Sequence, residues 1–307
     1  MCGGREGGLE CWETTFLTCV KHLQLEPRRG SPDPGRRGSR SSGAQESGSA
    51  GIPRGWGPAV LGALGATSFT LQVLTVTEQL DAGVRYLDLR VAHMEEGSER
   101  NLHFVHMVYT TALVEDTLTE ISEWLEKHPR EVVLLACRNF EGMTEDLHEY
   151  LVTCIKNIFG DMLCPRGEVP TLRQLWSRGQ QVLLSYEDET SVSRHVELWP
   201  GIPYWWGNQV KPQDLIRYLE HMKSCGRPGG LFVAGINLTE NLEYILAHPT
   251  ASLRTLTLPS LPYLGAWVRE QCPGPGARCT NIITGDFIGA DSLVSDIIRL
   301  NQKLLQG

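Results

Sequence analysis

Short apolar runs alternate with amphipathic stretches over most of the chain. The apolar runs predict seven strands, which read RYLDLRVA, LHFVHMV, EVVLLACRNF, QVLLSYED, IPYWWGN, GLFVAGINLT and NIITGDFI. The clearest predicted helix is ALVEDTLTEISEWLEKHP, which Pro129 ends, and the others read EDLHEYLVTCIKNIFG, PQDLIRYLEHMKSC and DSLVSDIIRLNQKLL. Apolar strands that alternate with helices predict an α/β fold of the (β/α) barrel type, one strand short of a full barrel.

The first part of the chain has a different composition. Residues 26–56 are rich in Gly, Ser, Pro and Arg, and such a segment buries too little apolar surface to become ordered. We therefore expect a disordered segment over residues 1–56 and one barrel domain over residues 57–307. The uncharged stretch from Gly55 to Thr77 contains too many Gly, Thr and Ser residues for a good membrane span, and a buried helix or strand is expected there.

The amino-acid composition indicates which partners and which cellular location to expect. The net charge of −8 argues against binding of nucleic acid. Nine cysteines without a CxxC pair favour reduced thiols over a disulfide framework or a zinc site. The N-terminus has no apolar leader, and together these features predict a cytoplasmic protein.

Polar side chains occur at the ends of most predicted strands. Asp88 and Arg90 are two residues apart in a strand and therefore share one face. The other polar residues at strand ends are Arg138, Asn139, Tyr186, Glu187, Asp188, Asn208, Asn237 and Asp286. In a barrel these ends meet at the carboxyl face, where active sites are built. Arg, His and Asp without metal-ligand spacing suit phosphoryl chemistry, although each charge could instead cap a helix or pair locally.

Two histidines fall in the second predicted strand. His103 and His106 are three residues apart, so at most one of them points into a barrel. We expect His103 to face the helices, as an ordinary core or surface residue.

The runs GVRYLDLR, LHFVHMVY, HPREVVLLACRNFEGM, ELWPGIPYWWGN, LFVAGINLT and NIITGDFIGAD resemble the X domain of phosphatidylinositol-specific phospholipase C. The resemblance extends from about Leu74 to the C-terminus. It implies a distorted TIM barrel that cleaves a phosphodiester by attack of the inositol 2-hydroxyl on phosphorus. It also implies a phosphoinositide lipid or headgroup as ligand and transient contact with a membrane surface. Protein partners are not implied by it.

The resemblance assigns roles residue by residue. Arg90 matches the phosphate-binding arginine of the metal-independent members, which implies that neither a metal nor another cofactor is needed. His106 matches the general acid, although Met107 replaces the glycine that usually follows it. Asp286 matches the carboxylate that pairs with the catalytic base, and Asp88 matches the acidic residue two positions before the arginine.

Two further residues are candidates for binding the substrate. Arg138 and Tyr186 end neighbouring predicted strands and would contact the inositol ring in such a site. Packing in the core or at the rim explains both equally well. Of the adjacent Trp205 and Trp206, one is expected to face the core and the other the barrel mouth.

The family's first strand ends in a motif like IPGSHD, whose histidine is the general base, and the sequence contains no such motif. The only histidine before Arg90 is His22. We therefore expect a barrel that lacks the family's first strand, although TSFTLQVLTV could restore pairing without restoring the base. An alternative first exon, or a gene model that missed one, would produce such a chain.

The expected function is that of a phosphoric diester hydrolase of the phospholipase C type, impaired by the loss of its base. Loss of a general base typically reduces the rate by about 10²–10⁴-fold. The alternative is a non-catalytic relative that binds phosphoinositides or proteins. A glycerophosphodiesterase barrel is less consistent with the sequence, since it would place His and metal-binding Glu residues near its first strands.

Overall fold

The computed structural model describes residues 19–20, 74–93, 101–105, 109–274 and 276–305. The strands are β1 (Cys19–Val20), β2 (Tyr86–His93), β3 (Leu102–Val105), β4 (Tyr109–Leu113), β5 (Val133–Glu141), β6 (Val182–Tyr186), β7 (Leu198–Trp199), β8 (Tyr204–Trp205), β9 (Val233–Gly235) and β10 (Ile282–Gly285). The α-helices are α1 (Val76–Ala82), α2 (Val114–Lys127), α3 (Glu145–Phe159), α4 (Leu172–Arg178), α5 (Glu189–Arg194), α6 (Pro212–Cys225), α7 (Leu242–Ala247), α8 (Leu253–Thr257), α9 (Leu261–Glu270) and α10 (Leu293–Leu300).

All strands of the described residues belong to one sheet. Its main path runs in the order β7-β6-β5-β2-β1-β10-β9-β8, and every pairing along it is parallel. The first strand pairs with the last, which is the strand order of a (β/α) barrel opened between β7 and β8. The predicted α/β class with a parallel sheet is therefore confirmed, and within the described ranges the path ends at β7 and β8.

The strands of this path differ greatly in length. The strands β2, β5 and β6, here called the long-strand side, pair over continuous runs from Tyr86 to Arg90 and from Val133 to Cys137. The strands β8, β9 and β10, here called the short-strand side, pair over two or three positions only. The predicted strand LHFVHMV is not on the path, because β3 pairs antiparallel with β2 and continues into β4 as a hairpin.

The strand β1 corrects the expectation that the sheet lacks a first strand. Cys19 pairs with Tyr86 and Thr284, and Val20 pairs with Leu87 and Gly285. β1 therefore lies between β2 and β10 and pairs with both. This pairing is favourable because an unpaired strand edge leaves backbone hydrogen-bonding groups unsatisfied. The predicted disorder of residues 1–56 remains a prediction, because apart from Cys19 and Val20 that segment lies outside the described residues, as does TSFTLQVLTV up to Val73.

The helices lie at their predicted positions where the sequence has a long stretch of regularly spaced apolar residues. Helix α2 begins at Val114 rather than Ala112, because Leu113 is still extended as the end of β4. It buries Leu118, Ile121 and Leu125 and ends at Lys127, before Pro129. Helix α3 matches EDLHEYLVTCIKNIFG, and α6 matches PQDLIRYLEHMKSC. The helices that the sequence did not predict are short, and several begin at hydroxyl or Asn caps such as Thr75 and Thr171.

The sheet has two apolar faces. The larger cluster joins one face to the helices and includes Leu87, Leu135, Leu184 and Ile283. The smaller cluster lies on the other face and includes the buried residues Tyr86, Leu134, Ala136, Leu183, Val233 and Ile282. We call this second side the interior face. Residues two positions further along each strand share its direction, so the cluster defines which polar residues face the interior at the carboxyl ends.

Candidate functional site

Polar side chains replace the apolar ones on the interior face as the strands approach their carboxyl ends. Alternation from Tyr86 places Asp88 and Arg90 on this face, and alternation from Ala136 places Arg138 there. The same alternation places on the interior face Glu187 after β6 and Asn237 after β9. It also places there Thr284 in β10 and Asp286 just after it. The interior face is therefore apolar at one end and charged or hydrogen-bonding at the other.

Arg138 is the centre of the charged part. Its Nε lies 3.8 Å from Asp88 Oδ1 and 3.7 Å from Glu187 Oε1. Its guanidinium carbon lies 4.7 Å from the ring centroid of Tyr204, over the aromatic face. Burial acts to lower the pKa of Arg138, but the Asp88 and Glu187 carboxylates outweigh it and raise the pKa above its usual value. The guanidinium therefore stays charged although it is largely buried.

Arg90 is the register partner of Arg138 on the neighbouring strand. Paired residues of parallel strands point to the same side, so both arginine side chains leave the sheet on the interior face. The Nε of Arg90 is buried, and no acceptor among the described residues bonds to it. Two neighbouring cations on a partly enclosed face favour an anion, and guanidinium groups suit phosphate oxygens in particular.

Asp88 and Asp286 occupy equivalent levels on the two sides of β1. Val20 pairs with Leu87 and Gly285, and each aspartate is the next residue after one of these partners. Both side chains are nearly fully buried. A buried carboxylate is costly unless it is compensated by charge or hydrogen bonds, so this pair marks a place where the interior is built for polar chemistry.

A neutral hydrogen-bonded network covers the short-strand side. Tyr204 donates its hydroxyl proton to Asn237 Oδ1 at 2.8 Å, and the Thr284 hydroxyl donates to the same oxygen at 3.1 Å. The two hydroxyl oxygens are 2.6 Å apart. Asn237 is fully buried, and its Nδ2 has no acceptor within the described part of the chain. This network positions the Tyr204 ring beside Arg138.

The backbone is left-handed directly after two of these residues. Asn139 follows Arg138 with φ 50°, and Phe287 follows Asp286 with φ 58°. Non-glycine residues seldom adopt this conformation, and it persists only where the surroundings enforce it. At Asn139 the backbone N–H donates to Glu187 Oε2 at 2.7 Å, which ties the end of β5 to the end of β6. The turns fix the direction in which Arg138 and Asp286 leave their strands.

A cavity opens beside Arg138. It has a volume of 650 Å³ and lies between the ends of β5 and β6 and the segment that connects β7 to β8. Arg138, Glu187, Tyr204 and Pro203 line it, together with Arg166 from the outer side. The size of the cavity suits a small polar ligand such as a headgroup.

The structure brings together four of the predicted site residues, namely Asp88, Arg90, Arg138 and Asp286. His106 lies outside the described residues. Tyr186 also lines the cavity beside Arg138, and its predicted contact with a ligand remains a prediction. It is fully buried against the helices, where its hydroxyl is 2.8 Å from His148 Nδ1. Burial raises the pKa of the Tyr186 hydroxyl.

Tyr204 is the site residue that the sequence did not reveal. The available signal was the alternation in PYWW, in which a buried Trp205 forces Tyr204 and Trp206 to the other face. Trp206 is 47% exposed at the rim, as expected for one of the two tryptophans, and its Nε1 donates to Thr239 Oγ1 at 3.0 Å. In the described part of the chain no cluster of His, Cys, Asp or Glu is arranged as a metal site.

None of the helices described is both long and apolar enough to cross a membrane. Most of the uncharged stretch from Gly55 to Thr77 precedes the described residues, and its last residues enter α1.

Comparison with known proteins gives a consistent result. A family model described as PI-PLC X 1 matches residues 61–215. The chain is 84% identical over 234 residues to PI-PLC X domain-containing protein 1 of Homo sapiens, covering 76% of this chain and 72% of that protein. It is 44% identical over 235 residues to the Danio rerio protein of the same name, covering 76% of each. The resemblance predicted from the sequence is confirmed.

Solved structures agree in fold. The phosphatidylinositol-specific phospholipase C from Staphylococcus aureus, in the form of a His-to-Tyr mutant, superposes with a TM-score of 0.56 at 13% identity. That match covers 78% of this chain and 86% of the bacterial one. The corresponding enzyme from Listeria monocytogenes gives a TM-score of 0.52 at 19% identity, covering 76% and 84%. At these identities the likeness concerns the fold.

Proposed function

The chain belongs to the PI-PLC X domain family, and from this premise we propose a phospholipase C-type site that binds a phosphoinositide headgroup and cleaves it weakly. The observation that carries the proposal is the register pair Arg90 and Arg138 on the interior face. Their two guanidinium groups hold the phosphodiester, and the cavity beside Arg138 takes the inositol ring.

The buried acidic residues have complementary roles in this proposal. Asp88 lies 3.8 Å from Arg138 and keeps that guanidinium oriented when no ligand is bound. Arg90 neutralises the charge that develops on the phosphate oxygens, as a bound cation would. Tyr204 offers its ring face next to Arg138, and both Tyr204 and Tyr186 line the cavity as aromatic contacts for the inositol ring. By family resemblance His106 protonates the leaving oxygen and Asp286 orients a base.

Weak turnover follows from the missing base motif. Strand β1 fills the position of the first strand without the motif that supplies the family's histidine. His22 comes two residues after the end of β1 in the sequence and lies outside the described residues. A general base must lie within hydrogen-bond reach of the attacking hydroxyl, and in the family's arrangement Asp286 orients that base and does not replace it.

Headgroup binding without turnover is the second candidate, since the cationic pair and the cavity do not depend on the missing motif. Contact with a membrane surface fits either candidate. Trp206, Leu242 and Leu246 are 47%, 55% and 66% exposed, and they follow the carboxyl ends of β8 and β9, on the same edge of the sheet as Arg138. Exposed Trp and Leu residues suit the boundary between headgroups and acyl chains. The predicted cytoplasmic location remains a prediction.

Two measurements on phosphatidylinositol vesicles test this function. Arg90→Ala should weaken vesicle binding at least about tenfold, because it removes one of two phosphate-binding cations. Arg217→Ala is the matched control, since Arg217 lies exposed on α6 and should leave binding unchanged. Equal binding by all three proteins would reject the headgroup site.

Release of diacylglycerol from the same vesicles tests the proposed weakness. Turnover by the natural chain should scarcely exceed that of Arg90→Ala, and EDTA should not change it. Turnover far above that blank would show that a base is present, and loss of it in His22→Ala would identify that base. Activity that disappears with EDTA and returns with calcium would show that Arg90 does not replace a metal.

A further inference from the structure

Two cysteines lie at the two ends of the loop that connects α9 to β10. The Thr280 N–H donates to the Cys272 carbonyl oxygen at 2.9 Å, and Pro273 pairs with Thr280 as in a parallel ladder. The positions that precede this pair are Cys272 and Cys279. In a parallel ladder such positions are adjacent and their side chains share one face.

The spacing of this register suits a disulfide bond. Neighbouring strands are about 4.8 Å apart, and disulfide-bonded cysteines usually have Cα atoms about 4.4–6.8 Å apart. Cys279 donates its N–H to the Gly276 carbonyl at 2.9 Å. Its Sγ lies 3.0 Å from the point that a Cβ on Gly276 would occupy, so the thiol is directed over the loop.

The loop is held in place by lysine and arginine side chains. The Nζ atoms of Lys223 and Lys303 donate to Gln271 at 2.7 Å each, one to the side-chain oxygen and one to the carbonyl. Arg227 Nη1 donates to the Gly274 carbonyl at 2.6 Å. These bonds fix Gln271 and Gly274, the residues on either side of the Cys272–Pro273 segment.

These two thiols also differ from most others in the described residues. Cys272 is exposed and Cys279 is half-buried. Cys137 and Cys164 are buried, and burial raises the pKa of Cys137 to about 12 and that of Cys154 to about 11. A thiol with such a raised pKa provides little of the thiolate that reacts with oxidants.

We propose that Cys272 and Cys279 form a reversible dithiol–disulfide site that reacts with small disulfides such as oxidised glutathione. One protein thiolate attacks a sulfur of the small disulfide, forms a mixed disulfide and releases one small thiol. The second protein thiolate then attacks the protein sulfur of the mixed disulfide and releases the second small thiol. The protein loses two hydrogen atoms, and the small disulfide is reduced to two thiols.

Peptide mapping of the full chain tests this site. The native protein is incubated with oxidised glutathione, alkylated and digested with trypsin, which cuts after Arg278 and so separates the two cysteines. The expected product is peptide 270–278 linked by a disulfide to peptide 279–299, and dithiothreitol should restore both thiols. Cys225→Ser, which removes another exposed thiol, should leave this linked product unchanged.

Single variants trap the intermediate. In Cys272→Ser and Cys279→Ser the remaining thiol should accumulate as a mixed disulfide with glutathione, with the circular dichroism spectrum of the native protein as a check on folding. The proposal is overturned if the native chain gives two separately alkylated peptides, two stable glutathione adducts, or a link to Cys225. Because the native chain alone decides among these outcomes, the test stands even if a variant does not fold.

Discussion

The long-strand side and the short-strand side of the sheet are stabilised in different ways. Between β2, β5 and β6 the backbone ladder is continuous over several residues, and the side chains are free to serve the core and the cationic pair. Between β8, β9 and β10 the ladder is only two or three residues long. There the side chains of Tyr204, Asn237 and Thr284 make the cross-strand bonds that a longer ladder would make elsewhere.

The two sides of the sheet have different roles: one carries the charged side chains, and the other depends on side-chain hydrogen bonds for its stability. Arg90 and Arg138 can be cations because the strands that carry them do not depend on their side chains for pairing. On the other side a polar residue that left the network would weaken the sheet itself. We therefore expect substitutions of equal size to affect stability on the short-strand side and ligand binding on the long-strand side.

Removal of core packing should have the largest effect on stability. Leu135→Ala on β5 removes a side chain that is 0% exposed, and it should lower the free energy of unfolding by about 3 kcal/mol. Urea denaturation measures this loss. Leu246→Ala serves as the control, since Leu246 is 66% exposed and its loss should leave the unfolding midpoint almost unchanged. Similar midpoints for the two variants would show that β5 does not carry the core.

Removal of the network oxygen comes next. Asn237→Ala leaves the hydroxyls of half-buried Tyr204 and buried Thr284 without their shared acceptor and should cost about 2 kcal/mol, measured by urea denaturation. Asn157→Ala, at an exposed position of α3, should remain within about 0.5 kcal/mol of the native protein. If the two variants behave alike, the short-strand side does not rely on its side chains.

A substitution in β1 tests whether this strand connects the long-strand side to the short-strand side. Val20→Pro places a residue without a backbone N–H between two strands, and it should lower stability by about 1 kcal/mol or more for each lost backbone bond. Val20→Thr keeps the N–H and a β-branched side chain, so it should retain most of the native stability. Thermal unfolding of both variants gives the comparison. An unchanged midpoint in Val20→Pro would mean that β1 does not join the two sides in solution.

The smallest expected effect is a dependence on pH on the long-strand side. Burial lowers the pKa of His148 below the usual value of a histidine, 6.5, so the unfolded chain takes up this proton at a higher pH than the folded protein. The contribution of neutral His148 to stability is complete when the pH lies above the pKa of the unfolded chain, and it decreases as the pH falls below that pKa. Thermal midpoints at about pH 8 and about pH 5 measure the decrease.

His148→Gln should show a smaller decrease over this range, and His221→Gln, at an exposed position of α6, should match the native protein. An undiminished decrease in His148→Gln would assign the dependence to other groups.

The sequence predicted the long strands and their site residues because alternation and strand length are clear there. Asp88 and Arg90 stand two apart in an otherwise apolar run, and Arg138 ends the next strand, so their shared face was foreseeable. The seven predicted strands did not include β1 or β7, each of which is only two residues long.

Alternation is less informative for Tyr186 on β6. Both faces of the sheet are buried, so β6 reads VLLSY with apolar residues on each side. Alternation then shows which residues share a face but not which face is the interior one. The small cluster around Leu134 and Leu183 settles that question, and it involves residues that are distant in sequence.

The pairing of β1 with β10 has a consequence for how the molecule is made. Cys19 and Thr284 are neighbours in the sheet although almost the whole described chain separates them. During synthesis one edge of β1 must therefore wait until the last strand has left the ribosome. Contacts of such long range form late and slow the folding reaction. Until then the backbone of the early strands stays open to wrong partners, and chaperones would have to shield this edge in a nascent chain.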